Sequence, residues 1–309
     1  MRIHRHLAAV ALAFVLAGHA VAAIVVEVSA GDDTGNSSAS ETFGPPATAA
    51  RGIARGSSAT VGPGTGLFGC GSGCGILPGA ITATDVDTDG MRWRVSAHAY
   101  DMTAGASAGF AVYDTLLTSR LPPAPVTLDF EVRVELGSVQ ANRGMGSHAG
   151  AEYLFEIGRW GRIGDEGSDY GLVETYFSLF AKEEDLAPYG QARTFSALVF
   201  GRDPIVASDF GPVFEASFSV PWNHLPLFSG DLELAIVGGA GAFTEGMGGH
   251  AAVVSVNSAY VGITVGGAPV ESANGYRYAG LVASAVPEPS TAWLLLAGAL
   301  GLRRLRRSP

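Results

Sequence analysis

The stretch VTLDFEVRVEL, residues 126–136, alternates apolar and polar side chains without a break. Its apolar members are Val126, Leu128, Phe130, Val132, Val134 and Leu136. Successive side chains of a β-strand point to opposite faces, whereas a helix repeats about every 3.6 residues. The stretch therefore predicts a strand with one face in a core and the other face in water.

Comparable runs follow one another along the chain, separated by Gly, Pro and Asp turns. We expect further strands at Met91–Tyr100, Phe110–Thr118, Ala151–Ile157, Leu172–Phe180, Thr194–Phe200, Val213–Val220, Asp231–Val237, Ala251–Val265 and Tyr276–Val282. Many short strands with turn signals between them predict an all-β protein, an antiparallel β-sandwich of the jelly-roll-like kind. One interior stretch, AKEEDLA at Ala181–Ala187, carries a helix signal of one or two turns.

Composition agrees with a sheet protein. Charged residues make up 16% of the 309 positions, hydrophobic residues 47%, and 43 positions are Gly, which excludes a charge-rich disordered chain. We divide the chain into a signal peptide (1–23), a Gly/Ala/Ser-rich segment (24–79), a β-sandwich domain (80–286) and a tail (287–309). The second segment starts with IVVEV, predicted as an edge strand followed by a long loop.

The N-terminus has the three parts of a secretory signal peptide. Arg2 and Arg5 precede an apolar helix-forming run, Leu7–Ala17, and small residues including Ala22 and Ala23 follow. A transmembrane anchor is the alternative, but this run would span only about 16 Å as a helix, against roughly 30 Å of bilayer core. We therefore expect export, with cleavage after Ala22 or Ala23.

The predicted body is acidic. Between residues 24 and 286 there are 13 basic and 28 acidic residues, a net charge of −15, and Lys182 is the one lysine of the chain. Nucleic-acid phosphates need basic patches, so this charge excludes nucleic acid as an expected partner.

Cys70 and Cys74 are the two cysteines, in the run GCGSGCG. An oxidising environment after export favours a local disulfide between them. A closed structural metal site needs four ligands, and no second cysteine pair or nearby histidine completes one.

The run DVDTDG places Asp85, Asp87 and Asp89 at alternate positions before a glycine, as at the start of an EF-hand calcium loop. Position twelve of such a loop should be a glutamate and is Ser96, and an alternating strand follows where a helix should be. We favour an acidic hairpin turn at Asp89-Gly90, with a weak calcium site as the alternative. No other cofactor is expected.

One further pattern resembles a catalytic motif. GASAG at 105–109 has the spelling of a hydrolase nucleophile elbow with Ser107 at its tip, and Asp209 and His224 follow in a permissible order. An elbow needs a strand before it and a helix after it, and GFAVYDTLLT continues as a strand. We therefore rank a secreted hydrolase last among the function hypotheses.

A short motif is repeated, because GMGSHA at 144–149 recurs as GMGGHA at 246–251, 102 positions later. His148 and His250 could form a paired site. Glycines that flank a small turn explain the repeat through backbone conformation alone, and we favour that explanation.

The segment RWGRIGDEGSDYG, residues 159–171, joins two predicted strands and combines Trp160 and Tyr170 with Asp165 and Glu166. Aromatic faces stack on sugar rings and carboxylates accept hydroxyl hydrogen bonds, so Trp160, Asp165 and Tyr170 are candidate glycan contacts. The favoured alternative is a solvated loop whose tryptophan packs on the core.

The last twenty-three residues have the order of a membrane-engaging tail. Glu288 and Pro289 suit the start of a helix, the residues 292–302 are apolar, and a basic stop follows at Arg303, Arg304, Arg306 and Arg307. Positive charge after the apolar span predicts a cytoplasmic C-terminus, with the body on the other side of the membrane.

This tail resembles the PEP-CTERM sorting signal, whose tails are also labelled ice-binding protein C-terminal domain. The resemblance rests on the motif Val286, Pro287, Glu288, Pro289, Ser290 and Thr291, then the apolar span, then the arginine cluster at the chain end. It implies an exported bacterial protein, held in the inner membrane by one C-terminal helix until the membrane protease exosortase removes the tail. The outer surface or an exopolysaccharide matrix would be the destination.

No set of residues indicates a particular reaction. We therefore expect a non-enzymatic surface or matrix protein whose partners are exosortase and exopolysaccharide. A carbohydrate-binding module, assisted by calcium, is the alternative function.

Overall fold

The computed structural model describes residues 23–32, 35–55, 58–63, 79–89, 91–100, 103–118, 126–163, 169–207, 211–222, 231–246 and 251–278, with the backbone alone at 162, 163, 169 and 170. The predicted signal helix, Cys70, Cys74 and the tail lie outside these residues. Within them the chain forms the strands β1 (Ala23–Asp32), β2 (Gly35–Phe43), β3 (Ala49–Arg55), β4 (Ser58–Gly62), β5 (Gly79–Asp87), β6 (Arg92–Tyr100), β7 (Ala104–Leu116), β8 (Val126–Asn142), β9 (His148–Ile163), β10 (Asp169–Leu186), β11 (Gly190–Val199), β12 (Ile205–Ala207), β13 (Val213–Trp222), β14 (Leu232–Glu245), β15 (Ala251–Val265) and β16 (Ala268–Pro269).

The strands form two antiparallel sheets that pack face to face. Sheet A has the order β12-β11-β10-β9-β14-β7-β1-β2, and sheet B has the order β13-β8-β15-β6-β5-β3-β4, with β16 added beside β15. The prediction of an all-β protein built from antiparallel sheets is confirmed. The four strands between residues 23 and 62 belong to the same two sheets as the later strands.

Aromatic side chains fill the space between the sheets. Trp93 of sheet B is 1% exposed, and its ring lies 5.3 Å from Phe110 and 4.7 Å from Phe155, both in sheet A. Phe218 of sheet B stacks on Phe177 of sheet A with centroids 6.2 Å apart. These contacts bury the inner faces, which are the apolar sides of the alternating runs.

The alternating pattern located most strands correctly. The stretch at 126–136 is part of β8, and its six apolar side chains face the core, where five are buried and Val126 is partly buried. Eight of the nine further runs also fall on strands. The last one, Tyr276–Val282, is wrong over its described part, because residues 276–278 make only an isolated bridge at Arg277.

Two further expectations are wrong. The first strand, β1, is not at an edge, because it lies between β7 and β2. Ala181–Ala187 forms no helix, because residues up to Leu186 continue β10 between β9 and β11. Backbone pairing on both sides outweighs a weak local helix preference.

The inward-facing carboxylates of β10 complete the hydrogen bonding of β8. Beyond Glu135, no strand among the described residues pairs with β8 on the β13 side. Glu183, which is 2% exposed, accepts a hydrogen bond from Ala141 N at 3.3 Å and pairs with Arg193 Nε at 2.7 Å. Asp185 accepts hydrogen bonds from Arg143 N at 3.1 Å and from Arg143 Nε at 3.0 Å. Side chains of one sheet thus satisfy backbone donors of the other.

The repeated motif marks two chain crossings at one end of the sandwich. GMGSHA leads from β8 in sheet B to β9 in sheet A, and GMGGHA leads from β14 in sheet A to β15 in sheet B. The first glycine of each copy has a positive φ, 53° at Gly144 and 119° at Gly246. A side chain there would strain the backbone, which supports the conformational explanation of the repeat.

Asp114 of β7 holds the last described segment, residues 270–278, against the rest of the fold through hydrogen bonds. Its carboxylate accepts hydrogen bonds from Ser272 Oγ at 2.9 Å, from Tyr278 Oη at 2.9 Å and from Asn274 Nδ2. Burial raises the pKa of Asp114 and these bonds lower it. Residues 270–278 are therefore anchored in the core although they form no regular strand.

Replacing Glu183 with Ala should destabilise the protein by about 3 kcal/mol, because the substitution leaves a buried N–H and an arginine without their acceptor. Chemical denaturation measures the change. The matched control is Glu215→Ala, since Glu215 pairs with Arg133 on the open surface and should cost less than about 1 kcal/mol. Equal effects of the two substitutions would contradict the role of Glu183.

Candidate functional site

The outer face of sheet A has few side chains at its centre. In β7, Gly105 and Gly109 alternate with the core-facing alanines, and in β14 Gly239 and Gly241 do the same. The register places Gly109 opposite Gly239 and Ser107 opposite Gly241. Two adjacent strands thus form a smooth floor, roughly 5 Å wide between their backbones.

A cavity of about 590 Å³ opens on this floor, at the end where β7 begins and β14 ends. Its volume lies in the range of pockets that hold a small-molecule ligand. The lining residues include Ser29, Gly31, Asn36, Ser38, Thr103, Gly105, Ser107, Glu152, Gly241, Phe243 and Glu245. We call this feature the glycine groove.

One cross-strand row carries the polar groups of the glycine groove. Ser29, Ser107, Gly241 and Glu152 follow one another across β1, β7, β14 and β9. The hydroxyl oxygens of Ser29 and Ser107 are 2.7 Å apart and share a hydrogen bond. The Glu152 side chain lies over Gly241, where an added Cβ would be 3.4 Å from Glu152 Oε1. The absence of a side chain at Gly241 therefore leaves space for the carboxyl group of Glu152.

Glu152 is 9% exposed, and burial raises the pKa of its carboxyl group. The nearby Lys182 ammonium lowers that pKa, and Glu184 raises it again. Lys182 lies opposite Glu152 in the sheet, but its Nζ contacts Glu184 Oε1 at 2.8 Å. The single lysine therefore pairs with another carboxylate.

His148 is the first residue of β9 and lies at the same end of sheet A as the glycine groove. It is 6% exposed, its ring meets Phe243 edge-on at 4.5 Å, and its Nε2 is 3.9 Å from Glu184 Oε1. Burial lowers the pKa of His148, against the opposing effect of Glu184. The lowered pKa favours the neutral form of the imidazole.

Two more carboxylates lie on the same face beyond the cavity. Burial raises the pKa of both Glu27 and Glu156. Glu156 accepts a 3.4 Å hydrogen bond from Ser178 Oγ, whereas Glu27 Oε2 is buried with no hydrogen-bond partner. They lie on opposite sides of the glycine floor, Glu27 in β1 and Glu156 in β9.

The predicted loop position of Trp160 is wrong. Trp160 belongs to β9, is 8% exposed, and its ring packs on Tyr113 with centroids 4.6 Å apart. It lies in a small apolar cluster with Ala23, Ala111 and Ala235, which agrees with the favoured packed alternative. Tyr170 is in β10 with its backbone opposite Arg162, and Asp165 lies outside the described residues.

The three aspartates of the predicted calcium run have separate partners. Asp85 lies in β5 with Arg51 Nε 3.2 Å away, Asp87 accepts a hydrogen bond from Asp89 N at 2.9 Å, and Asp89 pairs with Arg277 at 3.3 Å. Burial outweighs Arg51 and Arg94 and raises the pKa of Asp85 to about 6. Across the described ranges, no group of three or more His, Cys, Asp or Glu is arranged to hold a metal ion.

The predicted hairpin does form there, between β5 and β6. The positive φ among its described residues occurs at Met91, at 48°, and not at Asp89. Met91 is buried under the turn, so packing holds this conformation.

Ser107, the candidate nucleophile, lines the same cavity as Glu152, which was not among the predicted hydrolase residues. Ser107 lies within strand β7, without the sharp turn of an elbow, and its hydroxyl contacts Ser29. Asp209, His224 and His250 lie outside the described residues, so the paired-histidine prediction stays open.

Sequence reasoning missed the glycine groove. The signal was present as glycine at every second or fourth position in GASAG and GAGAF, alternating with alanine. Such alternation in a strand places the glycines on one face. The sequence alone could not place Glu152 beside these glycines, because its neighbours depend on the register between distant strands.

Within the part of the chain that the structure describes, no helix is long and apolar enough to span a membrane. Comparison with protein-family models, with curated proteins and with solved structures finds no match to the chain.

Proposed function

We propose that the chain is an exported bacterial protein that is sorted to the cell surface or extracellular matrix through its C-terminal tail. The carrying observation is the sequence order in the tail: Val286 to Thr291 with its Pro-Glu-Pro core, an apolar span, and the arginines from 303 to 307. Exosortase would be the processing partner. The body would be a non-enzymatic β-sandwich with jelly-roll-like connections.

The anchoring of the C-terminal segment supports this arrangement. Asp114 holds Ser272, Asn274 and Tyr278 in the core, and the tail starts at 287, a few residues later. Removal of a tail that follows an anchored segment leaves the body's hydrogen bonds in place. The cargo would therefore survive release from the membrane intact.

The chain crossings support the jelly-roll-like part of the proposal. The connections β6–β7, β7–β8, β8–β9, β12–β13, β13–β14 and β14–β15 each pass from one sheet to the other. Jelly rolls are double sheets in which such crossings recur.

Replacing Glu288 with Ala should block sorting, because it removes the charged centre of the Pro-Glu-Pro motif. We expect the variant to stay in the membrane fraction with its tail attached, measured by fractionation and mass spectrometry. Glu215→Ala, the same substitution on the body's surface, should be released normally. Unchanged release and an unchanged mature mass for the Glu288 variant would remove the sorting role.

A second candidate function is carbohydrate binding by the body, and the glycine groove favours it. Hydroxyl and carboxyl groups line a cavity of about 590 Å³ that a sugar unit could enter. In this proposal the sugar contacts the groove and not the buried Trp160. Calcium at Asp85, Asp87 and Asp89 remains part of this proposal as a prediction.

Filling the groove should abolish glycan retention. An added Cβ at Gly105 would have no heavy atom within 4 Å, so Gly105→Leu directs its side chain into the cavity without a clash. We expect at least a tenfold loss of retention on a glycan panel, with and without calcium, and an unchanged unfolding midpoint. Gly62→Leu in β4 has equally open space and is the control. A panel without any binder, or equal retention by both variants, would contradict the proposal.

A further inference from the structure

Glu152 is a buried carboxyl group that faces the glycine groove. It is 9% exposed and lines the cavity. Lys182 and Glu184 influence its pKa through space, and among the described residues none donates a hydrogen bond to it. A buried carboxylate without a donor costs free energy, which a bound ligand can recover by supplying one.

The charged residues that line the groove favour a cationic ligand. None of the described lining residues is Lys or Arg, whereas Asp32, Glu152 and Glu245 are among them. Lys182, the nearest ammonium, is paired with Glu184, and burial lowers the pKa of His148. The described lining of the groove therefore contains carboxyl groups and no cationic side chain.

The opposite wall offers neutral polar groups. Ser29 and Ser107 share one hydrogen bond, so one of the two hydroxyl hydrogens remains free to donate, and both oxygens keep acceptor capacity. Ser38 and Asn36 of the edge strand β2 extend the wall. Serine and amide groups of this kind suit ring hydroxyls.

We propose that the glycine groove binds a primary ammonium group on a hydroxylated ring, the chemistry of an amino sugar, with Glu152 as the counter-ion and Ser29 and Ser107 contacting the hydroxyls. This inference rests on the carbohydrate-binding candidate function and specifies its ligand. The glycine floor lets a sugar ring approach the backbone of β7 and β14 closely.

The test measures binding of the full mature protein to short glucosamine oligomers by calorimetry. N-acetylglucosamine oligomers of the same length lack the ammonium group and should bind at least tenfold more weakly. Glu152→Gln keeps the size and removes the charge, and should weaken glucosamine binding about 10- to 100-fold. Glu215→Gln, on the outer face of sheet B, should leave it unchanged.

Further ligands separate the alternatives. Spermidine carries ammonium groups without a ring, so spermidine binding as tight as that of the glucosamine oligomer would overturn the amino-sugar assignment. Equal binding of acetylated and free oligomers, unaffected by Glu152→Gln, would overturn the inference and leave carbohydrate binding standing. Failure of every oligomer, neutral glucose oligomers included, would overturn both. An unchanged unfolding midpoint shows that Glu152→Gln is folded, and Gly105→Leu, which blocks the same cavity, should lose binding in parallel.

Discussion

The contact of Trp93 with Phe110 and Phe155 joins the two sheets, and the rest of the structure depends on this burial. Each alternating strand has one apolar face, and burying those faces against each other is the main favourable contribution to folding. Burial of the apolar faces also determines which residues remain on the outer face of each sheet. On sheet A the central outer positions are glycines, so burial of the inner face leaves an open floor where a ligand could lie.

Bringing two sheets together leaves backbone donors to be satisfied where a strand has no neighbour. Glu183 and Asp185 do this for the end of β8, and Gly144 and Gly246 permit the turns at which the chain changes sheets. These polar and conformational requirements explain why a stretch as charged as AKEEDL occurs inside a sheet. They lie at the same end of the sandwich as the glycine groove.

Large apolar side chains made most strands predictable, as in β8, because their period of two is visible in the sequence. The strands β2, β3 and β4 were missed because Ser, Ala and Gly carry almost no hydrophobic periodicity. Trp160 was placed on a loop because composition does not reveal its packing on Tyr113. The groove needed the register of β1, β7, β14 and β9, which only the folded chain supplies.

Together these features describe an acidic sandwich with the glycine groove on one outer face. We propose that the segments before and after this body are removed on export. The mass of the protein purified from native material tests this account most directly. The account predicts a chain that begins at Ala23 or Ile24 and has lost the apolar span and its arginines, lighter by two hydrogens if Cys70 and Cys74 are joined. A mass of 31.7 kDa, that of the whole chain, would contradict it.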